Sequence, residues 1–191
     1  FGIVGMAVTI VTTLLLVELS SLWFIALAIL LGGVIGAVVA RNINMTALPQ
    51  LVAAFHSLVG AAAVLVAGAA FSNPDAYHIA TGGEIHAVSL IELGLGVAIG
   101  AITFSGSLVA FAKLQGLVTG KPLTFKFQHP FNLALGVITL VLVVALVLTG
   151  SPYAFWIIVA ITFALGFLLI LPIGGADMPV VISMLNSYSG W

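Results

Sequence analysis

A chain of 191 residues that is 63% hydrophobic and only 5% charged cannot clothe a soluble fold of its size, because soluble domains carry roughly a quarter charged residues. Its net charge of -1 offers nucleic acid no attraction, and the absence of cysteine excludes disulfides, thiolate chemistry and cysteine metal sites. At a mean hydropathy of +1.38, the solvent that fits is lipid.

Seven apolar segments follow one another, at residues 1–19, 22–40, 49–71, 85–112, 131–149, 153–171 and 177–191. Crossing about 30 Å of hydrocarbon takes about 20 helical residues at about 1.5 Å each. The first six segments meet that length. The seventh is expected to be a span cut short by the end of the chain. The first has neither an initiator Met nor a basic flank ahead of it, so it is expected to be a span and not a signal peptide. The starts and stops at Phe1 and Trp191 suggest a piece of a longer polypeptide. The ten-residue alternation of a membrane β-barrel is absent. Helices satisfy their own backbone in lipid, so the expected fold is all-α, a polytopic transmembrane helical bundle.

The breaks carry the residues that end helices. In order they are Glu18-Leu19-Ser20-Ser21, then Arg41 to Pro49, then Asn73-Pro74-Asp75 through Gly82-Gly83. The longest, 113–130, holds Lys113, Gly120, Lys121, Pro122, Lys126 and Pro130. Gly150-Ser151-Pro152 and Pro172-Ile173-Gly174-Gly175 complete the set. By alternation, all four basic residues (Arg41, Lys113, Lys121 and Lys126) fall on one side. Glu18, Asp75 and Glu84 fall on the other. The positive-inside rule makes the basic side cytoplasmic, or matrix-facing in a mitochondrion.

Polar groups at membrane depth are costly and often mark a transport path. His56, seven residues past Pro49, lies about 10 Å into the third segment from the basic side. Val52, Ala53, Gly60 and Ala63 share its face and leave room around the ring. Imidazole titrates nearest neutral pH and has two distinct nitrogens, which suits a proton relay. A packed histidine bonding across helices is the plainer alternative. Ser107 lies at a similar depth, about 9 Å in, six residues before Lys113. It ends a stripe of Ser89, Glu92, Gly96, Gly100, Thr103 and Ser107 that either lines a hydrated path or packs a helix. Glu92 sits toward the far side, either as a proton station or beside a wet vestibule. His78 and His86 are expected to be ordinary interfacial residues. Asn186, nine residues past Asp177, is about 13 Å deep, with Ser183 and Gly190 on its face. An amide there can position water or pair with a histidine. His56, Ser107 and Asn186 thus share one level. Asp177, just before an apolar run with Pro179 in its first turn, has the place of a helix cap. It lies on the face opposite Asn186, nearer the basic surface.

The basic connection 113–130 either marks topology or docks a soluble domain. No G-x-G-x-x-G run and no phosphate loop is present, so no nucleotide site is expected in this chain. Met178, Met184 and the scattered histidines do not suggest a metal or haem site.

The run G-G-A-D-M-P-V-V-I-S-M-L-N-S-Y-S-G-W from Gly174 to Trp191 resembles the beta subunit of proton-translocating NAD(P) transhydrogenases. So do M-T-A-L-P-Q-L-V-A-A-F-H-S-L-V-G from Met45 to Gly60, G-A-I-T-F-S-G-S-L-V-A-F-A-K-L from Gly100 to Leu114, and the opening F-G-I-V-G-M-A. The resemblance covers nearly the whole chain. It implies the beta-subunit share of the membrane domain, domain II. It also implies an enzyme that passes hydride from NADH to NADP+ while protons flow inward across a bacterial inner membrane. NAD and NADP would bind other parts, with no cofactor in this chain. The implied partners are alpha-subunit membrane helices, an NAD(H)-binding domain I, an NADP(H)-binding domain III and a second copy of the assembly. By the same resemblance His56, Ser107 and Asn186 belong to the proton pathway, as does Glu92 more loosely, and Asp177 lies at the mouth facing domain III. A final span and domain III lie outside these residues, and hydride transfer is expected elsewhere. A secondary transporter or channel fragment, which needs inverted repeats or broken helices, and a purely structural membrane subunit are the alternatives.

Overall fold

The computed structural model describes residues 2–16 and 22–190; the break at Glu18, Ser20 and Ser21 lies outside them. The chain divides into two units, Phe1–Asn44 and Met45–Trp191. The first holds α1 (Gly2–Leu16) and α2 (Leu22–Asn42). The second holds α3 (Leu48–Ser72), the short strands β1 (Ala80–Thr81) and β2 (Glu84–Ile85), then α4 (Ala87–Leu114), α5 (Gln128–Thr149), α6 (Pro152–Ile170) and α7 (Met178–Ser189). One-turn 3-10 segments, Met45–Ala47 and Gly175–Asp177, lead into α3 and α7.

The chain is an all-α polytopic bundle. Among the described residues, five helices are long and apolar enough to cross a membrane, α2 to α6. The other two are shorter, 15 residues in α1 and 12 in α7. α3 and α4 run without interruption over 25 and 28 residues. That continuity removes the mid-membrane breaks a transporter of the broken-helix type would need.

Three details differ from expectation. α5 begins at Gln128, so Pro130 lies inside its first turn, where a missing N–H costs nothing. α4 runs through Lys113, which is therefore helical and buried. The connection after α3 forms an antiparallel ribbon pairing Ala80 with Ile85 and Thr81 with Glu84. Gly82 and Gly83 take φ of 65° and 89° at its turn, which glycine adopts without a Cβ penalty.

α4 is the centre of the second unit and packs on α3, α5, α6 and α7. Its inward residues are small: Gly94, Ala98, Ala101, Gly106 and Ala110 are all buried. Without a hydrophobic drive between helices in lipid, close backbone approach and van der Waals contact hold the bundle. Two apolar cores result. One, on the ribbon side, gathers Leu90, Val97, Leu146, Phe155 and Ile158. The other, on the basic side, gathers Ala53, Val109, Ala110, Ile170, Met178, Ile182 and Leu185. Large apolar side chains point outward throughout, among them Leu65, Leu133 and Leu148, as lipid contact requires.

Candidate functional site

The site is built where α3 crosses α4. A Cβ at Gly60 would stand 2.5 Å from Phe104 N and 2.7 Å from Gly100 O, and one at Gly100 would stand 3.0 Å from Ala63 Cβ. The backbones therefore touch, and this contact fixes the register of the two helices. His56 lies one turn before Gly60, and Ser107 one turn past Phe104. The helices run antiparallel, so both residues sit at one level on the basic side of the crossing.

His56 is buried, with 5% of its surface exposed. Its Nε2 lies 3.5 Å from Ser189 Oγ, a long contact that joins α3 to α7. Ser189 Oγ also donates to the Asn186 carbonyl at 3.1 Å, one turn back on α7. The next residue to His56, Ser57, is buried too but donates to the Ala54 carbonyl at 2.7 Å within its own helix. The Ser107 hydroxyl is completely enclosed and has no hydrogen-bond partner among the described residues. An enclosed hydroxyl without a partner is uncommon and costs its full desolvation.

Asn186 is exposed, and its side chain borders a groove of about 420 Å³ between α3 and α7, with Leu48, Val52, Ile182 and Ser183. The chain thus brings His56 to α7 through Ser189, the residue three past Asn186. The Asn186 amide and the Ser107 hydroxyl make no hydrogen bond to His56. Beyond His56, away from the basic side, a cavity of about 180 Å³ is bordered by Gly60, Gly96, Gly100, Thr103 and Ser189. These include three members of the small and polar stripe on α4. Glu92, one turn further, is exposed. A larger cavity, about 680 Å³, lies between α4, α6 and α7. Apart from Thr103 and Tyr188 its lining is apolar, so it is a hydrophobic notch and not a water path.

Asp177 does not cap α7. It closes the 3-10 turn with helical φ and ψ of −89° and −4°, and its carboxylate makes no capping bond. With its own backbone already helical, the carboxylate cannot turn back onto the first N–H groups, and it remains exposed. Pro179 does occupy the first turn. His86 holds Thr81 Oγ1 at 2.8 Å through its Nε2, at the ribbon end of α4. Among the described residues, no group of three or more His, Asp or Glu side chains is placed to hold a metal ion.

Sequence reasoning missed two residues. Ser189 lies three residues after Asn186, the spacing that makes helical neighbours. Lys113 continues the buried face Thr103, Gly106, Ala110 at steps of three and four, and that periodicity was readable.

The family model described as "NAD(P) transhydrogenase beta subunit" matches residues 1–191. Two proteins named NAD(P) transhydrogenase subunit beta, from Rhodospirillum rubrum and from a named strain of it, are each 62% identical over 190 residues. The match covers 100% of this chain and 41% of each relative. The chain thus spans about two-fifths of the length of the curated relatives it matches.

Proposed function

The chain belongs to the NAD(P) transhydrogenase beta subunit family, and from that premise we propose that it is the proton-translocating part of such an enzyme, with His56 as the relay group. It is an integral, multi-pass protein of the bacterial inner membrane type, a reading supported by the five long apolar helices among its described residues and by its bacterial relatives. The observation that carries the proposal is a buried imidazole at a helix crossing, whose Nε2 lies 3.5 Å from the Ser189 hydroxyl.

The chemistry follows from the two ring nitrogens. A proton taken up at one nitrogen makes imidazolium, and release from the other restores the neutral ring. Transport follows when uptake and release face opposite sides. Ser189 is the hydroxyl that exchanges hydrogen bonds with Nε2, being both donor and acceptor. Ser107 and Asn186 arrange water or hydrogen bonds at the same level. Glu92 stands toward the far side, beyond the cavity at Gly96 and Gly100. Hydride passes from NADH to NADP+ on an NAD(H)-binding domain and an NADP(H)-binding domain outside this chain. In that direction protons flow inward. Alpha-subunit membrane helices and a second copy of the assembly complete the membrane domain. Asp177 and the basic connection face the NADP(H) domain. Coupling is then a linkage in which protonation at His56 and the state of that domain bias one another.

The test is His56→Ala in the assembled enzyme in liposomes, with proton uptake and hydride transfer measured together. Proton-linked turnover should stop or lose its dependence on the gradient. Coupled pumping at the wild-type rate would sink the relay.

A further inference from the structure

Lys113 stands apart from the site and from the surface charge. It is 5% exposed, and its ammonium has three partners, all of them backbone carbonyls. Nζ donates to Leu171 O and Ile173 O at 2.6 Å each, and to Ile170 O at 3.4 Å. Three donors thus meet three acceptors. The acceptors belong to the C-terminal end of α6 and to the link that leads into α7. The last carbonyls of a helix have no partner of their own and carry its partial negative charge, so a cation is the fitting cap.

The same link is tied from its other side. Leu123 N donates to Leu171 O at 3.1 Å, and Gly175 N donates to Gly120 O at 2.8 Å. A Cβ at Gly175 would come within 3.3 Å of Gly120 Cα. Two residues beyond that contact is Asp177, and α7 follows, with Ser189 at its far end. Lys113 itself is six residues past Ser107 on α4. One side chain therefore joins the helix carrying Ser107 to the link that sets the position of α7.

We propose that Lys113 is a positioning residue for coupling, a latch that fixes the α6–α7 link on α4 and so holds Ser189 against His56 and Asp177 at the basic surface. This rests on the proton-relay reading of His56. Surface lysines of a topology marker are free to move. This ammonium is bound at three points, so a shift of α7 on protonation of His56 must move the link, and with it Asp177. A plain scaffold role would lower stability and leave the dependence on a gradient intact.

The experiment uses the complete assembled transhydrogenase in liposomes, with wild type, Lys113→Met, Lys113→Arg, His56→Ala and Gly175→Ala compared. Two rates are read: NADP+ reduction with the gradient collapsed by an uncoupler, and its stimulation by an imposed gradient. Lys113→Met should keep the uncoupled rate and lose stimulation about tenfold, the order expected for breaking a charge-assisted bond. Lys113→Arg retains the charge and five donors, and should recover most of the stimulation. Full stimulation in Lys113→Met, while His56→Ala has none, would overturn the latch and leave the relay standing. Full stimulation in both would remove the relay on which the latch rests. If Lys113→Met does not assemble, Gly175→Ala decides. Its Cβ crowds Gly120 and displaces the same link, so it should lose stimulation at an unchanged uncoupled rate. Unaltered stimulation there would overturn the latch.

Discussion

Replacing Gly60 by Ala tests the helix crossing that places His56. The new Cβ would stand 2.5 Å from Phe104 N, where ordinary contact begins at 3.4 Å, so the helices must part by about 0.9 Å. The obstacle is backbone on both sides, and no side chain can swing away. Overpacking of this kind costs about 1–3 kcal/mol. Gly→Ala inside a helix also gains up to about 1 kcal/mol of propensity, which masks part of that loss. Gly96→Ala supplies the control, since nothing lies within 4 Å of its Cβ and the gain in propensity is the same. The difference between the two variants isolates the steric term. Unfolding by denaturing detergent in mixed micelles should place Gly60→Ala about 1–3 kcal/mol below Gly96→Ala. Equal stability of the two would refute the crossing, and with it the common level assigned to His56 and Ser107.

Ser107→Ala removes a buried hydroxyl that has no partner among the described residues. Its unfolding free energy should stay within about 0.5 kcal/mol of wild type or rise, because the desolvation penalty disappears with the group. Proton-linked turnover of the assembled enzyme should nonetheless fall, because the proposed proton path runs at the level of this hydroxyl. Phe155→Ala should be the most damaging of these changes. Phe155 is fully buried, stacked on Phe71 at 4.6 Å and edge-on to Trp156 at 5.3 Å. The loss should lie near the lower end of about 3–5 kcal/mol, since lipid replaces part of the transfer term but not the lost packing. The same mixed-micelle titration measures it.

The bundle was legible because each break among the described residues held its own stop signal. Gly150-Ser151-Pro152 shows how closely: Gly150 adopts φ of 60° and its N–H donates to Leu146 O at 2.8 Å, while Pro152 starts the next helix. The depth of His56 and Ser107 was also legible, because helical rise converts sequence distance into height. Lateral position has no such rule. Which α7 residue would reach His56 depended on how α7 rotates over α3. Pairing fell to Ser189, while the Asn186 side chain points into the groove at Val52. Lys113 misled for a different reason. Charge counting assigns every lysine near a helix end to the surface, yet a terminal carbonyl cluster can hold an ammonium inside. Asp177 erred in the opposite direction. Sequence sees an acid ahead of a helix, whereas capping needs an extended residue there, and the preceding 3-10 turn forbids it.

The length of α4 has a consequence for the lipid around it. At 28 residues it measures about 42 Å, against about 28 Å for the 19 residues of α6 and about 30 Å of hydrocarbon. Tilt alone does not absorb an excess of about 12 Å, because membrane helices lean about 20° on average. The ends of α4 therefore stand among the lipid headgroups, and both of its terminal contacts, His86 with Thr81 and Lys113 with the α6 carbonyls, fall in that layer. Bilayer thickness then becomes a variable of the protein itself. Acyl chains a few carbons shorter or longer would change how deeply those two contacts are immersed, while His56, two turns inside α3 and buried against α7, would keep its surroundings.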